Sequence, residues 1–176
     1  MTSEDDVREV RRVHDAWFTA NWGLDIPAMR ECFAPEYLMF NLNGHPYYSL
    51  DEKVALWTHY EEQITVPKPP YGWDVRTTVD GDMAYVTCEA VLPIAAIGAE
   101  GTGASQLDVG EATMEVTFRS TTILRRNDGQ GNKVWKIWHF HCSPLAPDDE
   151  PRPAFGDTVA SRGHQGEEVV FDGSTL

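Results

Sequence analysis

Apolar residues near the start of the chain return every three or four positions: Val7, Val10, Val13, Trp17 and Ala20. That spacing predicts a helix over about Asp5 to Trp22, with Ser3 and Asp6 as its capping pair and Gly23 at its end. Asp25 then caps a short second helix, with Pro27 in its first turn and Ala28, Met29, Cys32 and Phe33 on its apolar side. Tyr37 to Leu42 (YLMFNL) reads as a strand followed by a turn at Asn43-Gly44. Ser49 and Glu52 form a second capping box, which opens a third helix running to about Ile64. Val54, Trp57 and either Leu56 or Tyr60 make its apolar side. The proline-rich VPKPPYG is a connector, because it suits neither a helix nor a central strand.

The second half changes period. Four β-rich stretches follow, Trp73–Val79, Met83–Leu92, Thr113–Arg125 and Lys133–Cys142, with turns at Asp80-Gly81 and in NDGQGN. Short turns between neighbours make these strands mostly antiparallel. Helices first and a run of strands afterwards is an α+β order. Three helices cannot cover both faces of a strongly curved sheet. They pack on its concave side and leave a conical cavity, while the opposite face needs burial in a homodimer. Two readings stay open for the Gly- and Ala-rich segment between Pro93 and Gly110, a lid or a disordered insertion. The domain is assigned to residues 1–145. Residues 146–176 form an acidic tail rich in Pro and Gly, either extended over a partner or disordered.

Charge narrows the partners. The 176 residues carry 14 Lys plus Arg against 28 Asp plus Glu, a formal net charge of −14. Such a chain repels phosphate backbones and anionic membrane surfaces, so neither a nucleic acid nor a membrane is expected. No apolar run is long enough to span a bilayer, and the acidic start is not a targeting peptide. The three cysteines, Cys32, Cys88 and Cys142, are widely spaced and read as free thiols in a reducing cytoplasm. With 6 Trp, 6 Tyr and 7 Phe, the chain can line a pocket for a flat apolar molecule as well as fill a core.

Alternation along the last strand places Trp135, Ile137, His139 and His141 on one side and Lys136, Trp138, Phe140 and Cys142 on the other. If Lys136 marks the outside, both histidines face the cavity; a bulge would reverse this. Inward histidines suit proton transfer near neutral pH. A His-x-His pair with a third ligand from His14 or Glu89 could also hold a metal, but no dense ligand cluster exists, and no metal is expected. Arg119 reads as a clamp for a carboxylate or phenolate, or as a cation reaching solvent. Glu89 and Glu115 face inward as bases or outward as ordinary surface charges. His14 lies on the inner stripe of the first helix with Trp17. Tyr37 and Asn41 share a side of the first strand with Met39. Tyr47, Tyr48 and His45 flank the cavity mouth, and Trp57 and Tyr60 lie on the third helix. No phosphate loop, nucleophile elbow or CxxC pair occurs, so no nucleotide cofactor is expected.

The order of elements resembles the nuclear transport factor 2-like superfamily, whose fold is a cystatin-like roll. VWKIWHFHCSP is similar to the last strand of SnoaL-like proteins and of the calcium/calmodulin-dependent kinase II association domain. FRSTTILRRNDG resembles the preceding SnoaL-like strand, with Arg119 and Thr121 on its Arg and Thr. ANWGLDIPAMRECFAPEYLMFNLNG resembles the helix-to-strand passage, and the likeness spans about residues 7 to 145. The superfamily includes ketosteroid isomerases, polyketide cyclases, dehydratases, lyases and non-catalytic association modules. The resemblance therefore implies a cavity and not one reaction. The isomerase's general-base Asp falls near Asn41, and its phenolic donor near Ala16 or Trp17; an amide cannot abstract a proton. Together these readings imply a cofactor-independent lyase or isomerase. His139, His141 and Arg119 carry its catalysis on a hydroxylated aromatic small molecule. His14, Trp17, Tyr37, Asn41, Tyr47, Trp57 and Glu89 contact that substrate. The alternative is a binding or association module without turnover.

Overall fold

The computed structural model describes residues 4–97, 113–145 and 167–174. Ser3, most of the Gly- and Ala-rich segment and residues 146–166 of the tail lie outside them. Three helices come first: α1 (Glu4–Gly23), α2 (Ile26–Cys32) and, after strands β1 (Phe33–Phe40) and β2 (Pro46–Tyr47), α3 (Leu50–Glu61). Then follow β3 (Ile64–Thr65), β4 (Tyr71–Asp80), β5 (Met83–Ala96), β6 (Met114–Arg126), β7 (Trp135–Pro144) and β8 (Val169–Val170). Asp25 caps α2 by accepting from the Ala28 N–H at 3.0 Å. Ser49 accepts from the Glu52 N–H at 3.2 Å, while the Glu52 carboxylate reaches back to the Tyr48 N–H at 2.7 Å. This reciprocal pair starts α3 where the sequence places it. The helix ends at Glu61, a turn earlier than its apolar spacing predicts, and the first strand begins at Phe33 rather than Tyr37.

The sheet runs β2-β1-β7-β6-β5-β4-β8, with β3 paired to β5. All pairings are antiparallel except β1 with β7, which are parallel. The open mixed sheet curves around α1, whose Val10, Val13, His14, Trp17, Phe18 and Ala20 are buried. Trp17 is the hub of the apolar centre. It meets Phe33 (4.9 Å), Trp57 (5.3 Å) and Phe140 (5.7 Å), which ties α1, β1, α3 and β7 together. At the far edge of the sheet β8 pairs with β4, and Phe171 stacks on Phe18 at 4.4 Å while remaining 1 % exposed. Gly72 permits the tight β4–β5 approach, since a Cβ there would lie 2.5 Å from the Glu89 carbonyl oxygen. Among the described residues no helix is long and apolar enough to cross a membrane.

One irregularity decides which side chains reach the interior. Across β6 and β7, Ile123 is opposite His139 while Leu124 is opposite Ile137. Trp138 is thus an extra residue on β7, a bulge. Before it Trp135 and Ile137 point inward, and after it Phe140 and Cys142 do; all four are buried. The sequence-based alternation, set by Lys136, holds only as far as Trp138. The bulge is pinned from outside, because the Trp138 Nε1–H donates to the Asn127 carbonyl at 2.8 Å and the Arg125 guanidinium lies 4.8 Å from its ring.

Candidate active site

Between α1, α3 and the concave sheet lies a cavity of about 390 Å³, in the range that takes a small organic ligand. Its walls are mostly apolar: Trp17 and Phe18 from α1, Met39 from β1, Trp57 from α3, Leu92 and Ile94 from β5, Val116 and Phe118 from β6, and Phe140 from β7. Polar atoms are few and concentrated toward α3 and the first turn of chain after β1, where Asn41, Asn43, Lys53, Tyr60, Gln63 and Cys142 also line the space.

Lys53 is the charged side chain of this lining. It follows Leu50 on the inward stripe of α3 and precedes Trp57 by one turn, and all three are buried. Lys53 is 3 % exposed. Among the described residues its Nζ makes no ion pair or hydrogen bond; its neighbours are the rings of Tyr47 at 5.1 Å and Trp57 at 5.4 Å. Burial brings its pKa down from 10.5 to about 8, against a weaker opposing influence of Cys142. A lysine so placed is part-neutral near physiological pH, the state from which an amine is able to take a proton or attack a carbonyl. Ring faces stabilise its ammonium form but do not neutralise it.

Asn41 stands beside it in the lining. Its Oδ1 accepts from the Leu42 N–H at 2.9 Å and from the Cys142 thiol at 3.7 Å, which leaves the amide N–H groups for a ligand oxygen. Burial pushes the Cys142 thiol up to about 11, only partly countered by a hydrogen bond with the Leu42 backbone and by Lys53, so it stays protonated and packs as a small apolar group. Asn43 donates to the Tyr47 hydroxyl at 2.7 Å and fixes that ring across the mouth.

The sequence-based site separates into three parts. Trp17, Asn41 and Trp57 line the cavity, and Tyr47 lies against Lys53 at its edge. His14 and Tyr37 are core residues. His14 is wholly buried between Phe18 (4.9 Å) and Phe171 (5.8 Å), with Nδ1 bonded to Asp15 at 2.8 Å. Burial lowers its pKa, with Asp15 opposing. Burial pushes the Asp15 carboxyl up, but its bonds to His14 and Arg11 outweigh this and hold it below its ordinary value. Tyr37 packs on Phe33 at 4.3 Å, and desolvation raises its phenol far above the usual range.

The third part lies outside. His139 and His141 do not face the cavity: the Trp138 bulge turns both to the outer face of the sheet. There Phe40 meets them edge-on at 5.3 and 6.0 Å, and His139 Nδ1 bonds the Leu38 carbonyl at 3.0 Å. Desolvation lowers the His139 pKa despite that bond. Arg119 and Glu89 are direct partners across β5 and β6, bonded at 2.6 Å on the same outer face, and the Arg119 side chain is 59 % exposed. Neither reaches the cavity, because the inward positions of these strands are the even-numbered ones, Cys88 and Ala90 on β5 and Phe118 and Ser120 on β6. Glu115 is likewise outside, bonded to Lys68 at 2.8 Å. Among the described residues no cluster of His, Cys, Asp or Glu could hold a metal ion. Lys53 is the functional candidate that the sequence reading omits. Its signal was the 3-4-3 spacing of Leu50, Lys53, Trp57 and Tyr60, which puts a lysine in the middle of an apolar stripe.

An α+β cone of three helices on a curved mixed sheet, with one apolar cavity opening beside α3, defines the class. The match of residues 10–147 to the SnoaL-like domain narrows it: this chain belongs to the SnoaL-like domain family. Its fold is shared with a ketosteroid isomerase-like protein from Erwinia carotovora atroseptica (14 % identity, TM-score 0.63, covering 82 % of this chain and 100 % of the other). It is shared also with a candidate dehydratase of the NTF2-like family from Streptomyces avermitilis (19 %, 0.62, 83 % and 100 %). A third likeness is to an NTF2-like protein of unknown function from Pseudomonas putida (21 %, 0.60, 91 % and 96 %). At these identities the likenesses concern the fold alone. No match was found among curated proteins.

Proposed function

We propose that the protein is a cofactor-independent lyase or isomerase that moves protons on a small, apolar, hydroxyl- or carbonyl-bearing molecule held in the cone, with Lys53 as the acid–base group. One observation carries this reading: a lysine with no anionic partner among the described residues, set among aromatic rings in a mostly apolar cavity. Folding alone favours an apolar residue there, since burying an unpaired ammonium is costly. The neutral amine takes a proton from substrate, and the ammonium steadies the oxyanion that forms. The free amide of Asn41 offers a second donor to that oxygen. Rings on several sides suit an aromatic substrate.

The test uses aryl ketones and aryl β-hydroxy ketones in D2O, followed by NMR, with wild type, Lys53→Met and Lys53→Arg. A fall of roughly 10²–10⁴-fold in α-deuteration or C–C cleavage for Lys53→Met is expected, the usual worth of a positioned acid–base group. Lys53→Arg keeps the charge but not the base and should fail likewise. Equal rates in all three proteins, or binding of these compounds without turnover in the wild type, would overturn the catalytic reading; the second outcome describes a binding module.

We infer also a homodimer built on the outer sheet face. The ring expected there at Phe140 is inside the cone, but Phe40 (45 % exposed), Tyr85 (46 %) and Met83 (54 %) are outside, on the same face as Ile123, His139 and His141. Such rings make a patch that a soluble monomer seldom leaves open.

A further inference from the structure

The same lysine has a second chemical capacity, which rests on its proposed role and narrows the substrate class. We infer that Lys53 captures aryl aldehydes or ketones covalently, as an imine formed inside the cone. Three features of the cavity support covalent capture over simple proton transfer. Nζ is the terminus of a buried side chain that leaves α3 between Leu50 and Trp57, so its stem starts from a rigid element. Tyr47 and Trp57 present their rings at 5.1 and 5.4 Å from Nζ, which leaves an aryl group attached to that nitrogen lying among aromatic surfaces. Trp57, Met39 and Phe140 are among the apolar groups of the same lining, and apolar walls disfavour the water that hydrolyses imines in solution.

The step balances without a cofactor. The Nζ lone pair forms an N–C bond to the carbonyl carbon. The carbonyl oxygen takes up both protons of the neutral amine in turn and leaves as water, and a C=N double bond remains. No oxidant or reductant enters. Asn41 provides an N–H donor for the oxygen while it is still attached. Neutral amine is available because Lys53 gives up its proton near pH 8. A solvated lysine does so near 10.4, so at pH 7.5 the neutral fraction of Lys53 is larger by roughly a hundredfold or more.

The chain contains four lysines, Lys53, Lys68, Lys133 and Lys136, which makes the assay simple to read. Wild-type protein is incubated with 2-naphthaldehyde at pH 7.5 and treated with borohydride, whose hydride converts the imine into a stable secondary amine. Intact mass and fragment analysis then locate the naphthylmethyl group. In parallel, 2-methylnaphthalene, which has no carbonyl, is titrated by tryptophan fluorescence to measure occupancy of the cone by shape alone. The expected result is a single adduct on the fragment containing Lys53, formed about a hundredfold faster than any on the other lysines and suppressed by 2-methylnaphthalene. Lys53→Arg should bind 2-methylnaphthalene but give no such adduct. If 2-methylnaphthalene binds but labelling is slow and scattered over Lys68, Lys133 and Lys136, the imine is refuted and acid–base chemistry in the cone stands. If 2-methylnaphthalene does not bind, the aromatic cavity reading fails together with it.

Discussion

Replacing Lys53 by Met keeps the length and apolar stem of the side chain and removes its charge. In the unfolded chain Lys53 holds its proton to about 10.5, and in the fold only to about 8. Between these values the unfolded state binds the extra proton, so the fold gains stability as pH rises through that window. Below about pH 8 the full cost of the buried ammonium is present. At about 1.36 kcal/mol for each tenfold change, a fall from 10.5 to about 8 corresponds to about 3 kcal/mol. The ring contacts with Tyr47 and Trp57 offset about a third to two-thirds of that, since a desolvated cation over a ring gains about 1–2 kcal/mol. Lys53→Met is therefore expected to be more stable than wild type by about 1–2 kcal/mol at pH 7. Urea denaturation at pH 7 and at pH 10.5 measures it. The wild-type midpoint should rise relative to the variant between the two conditions, and the gap should close or reverse. A variant less stable at pH 7, with the same pH dependence as wild type, would refute the reasoning, because it would mean that the ammonium is already well compensated in the fold.

Other outcomes follow from particular contacts. Phe171→Ala removes a ring fully buried against Phe18 and His14 and should cost about 3–5 kcal/mol in denaturant unfolding; a loss under about 1 kcal/mol would mean that β8 is not held to the domain. Burial keeps the His14 pKa below 6.5, so the unfolded state binds more protons as pH falls below about 6.5, and stability declines there. His14→Gln should flatten that decline, and an unchanged slope between pH 6.5 and 5 would assign the effect elsewhere. Tyr85→Glu places a charge at the centre of the outer face and should convert the dimer to monomer in analytical ultracentrifugation. Sedimentation of the wild type itself as a monomer at micromolar concentration would end the dimer proposal.

The elements were legible because each rests on local chemistry. The Ser49–Glu52 cap, the Asp25 cap and the valine–tryptophan spacing of α1 act within a few residues of chain, and they place the three helices. The turns at Asp80-Gly81 and NDGQGN likewise separate the long strands. Sidedness on β7 was not legible, because a bulge is a property of two strands together: whether Trp138 is accommodated as an extra residue depends on how β6 is registered against it. The error then spread to His139 and His141. Arg119 and Glu89 show the complementary case. Each alone can be read as a cavity group, and only the β5–β6 register, which sets them opposite one another, identifies a cross-strand ion pair. Lys53 was hidden by the habit of assigning charge to the wet side of a helix, although Leu50, Trp57 and Tyr60 already defined the dry one.

The bulge on β7 behaves like a frameshift. A strand writes alternate residues on two faces, so a bulge, which takes up one position without alternating, exchanges the faces that simple alternation assigns to every residue downstream. Here Trp138 sends Phe140 and Cys142 to the ligand and His139 and His141 to the outer face. Were Trp138 instead taken into regular alternation, both imidazoles would turn into the cone and the Phe140 ring out of it; deleting Trp138 would only remove the bulge and leave all three where they are. The chemistry of the cavity and the composition of the opposite surface are thus coupled through one backbone irregularity, secured by the Asn127 carbonyl and the Arg125 guanidinium. Loss of the bulge with every residue retained would change the reactive groups of the cavity and the contact surface together, with no substitution at any residue that touches the ligand.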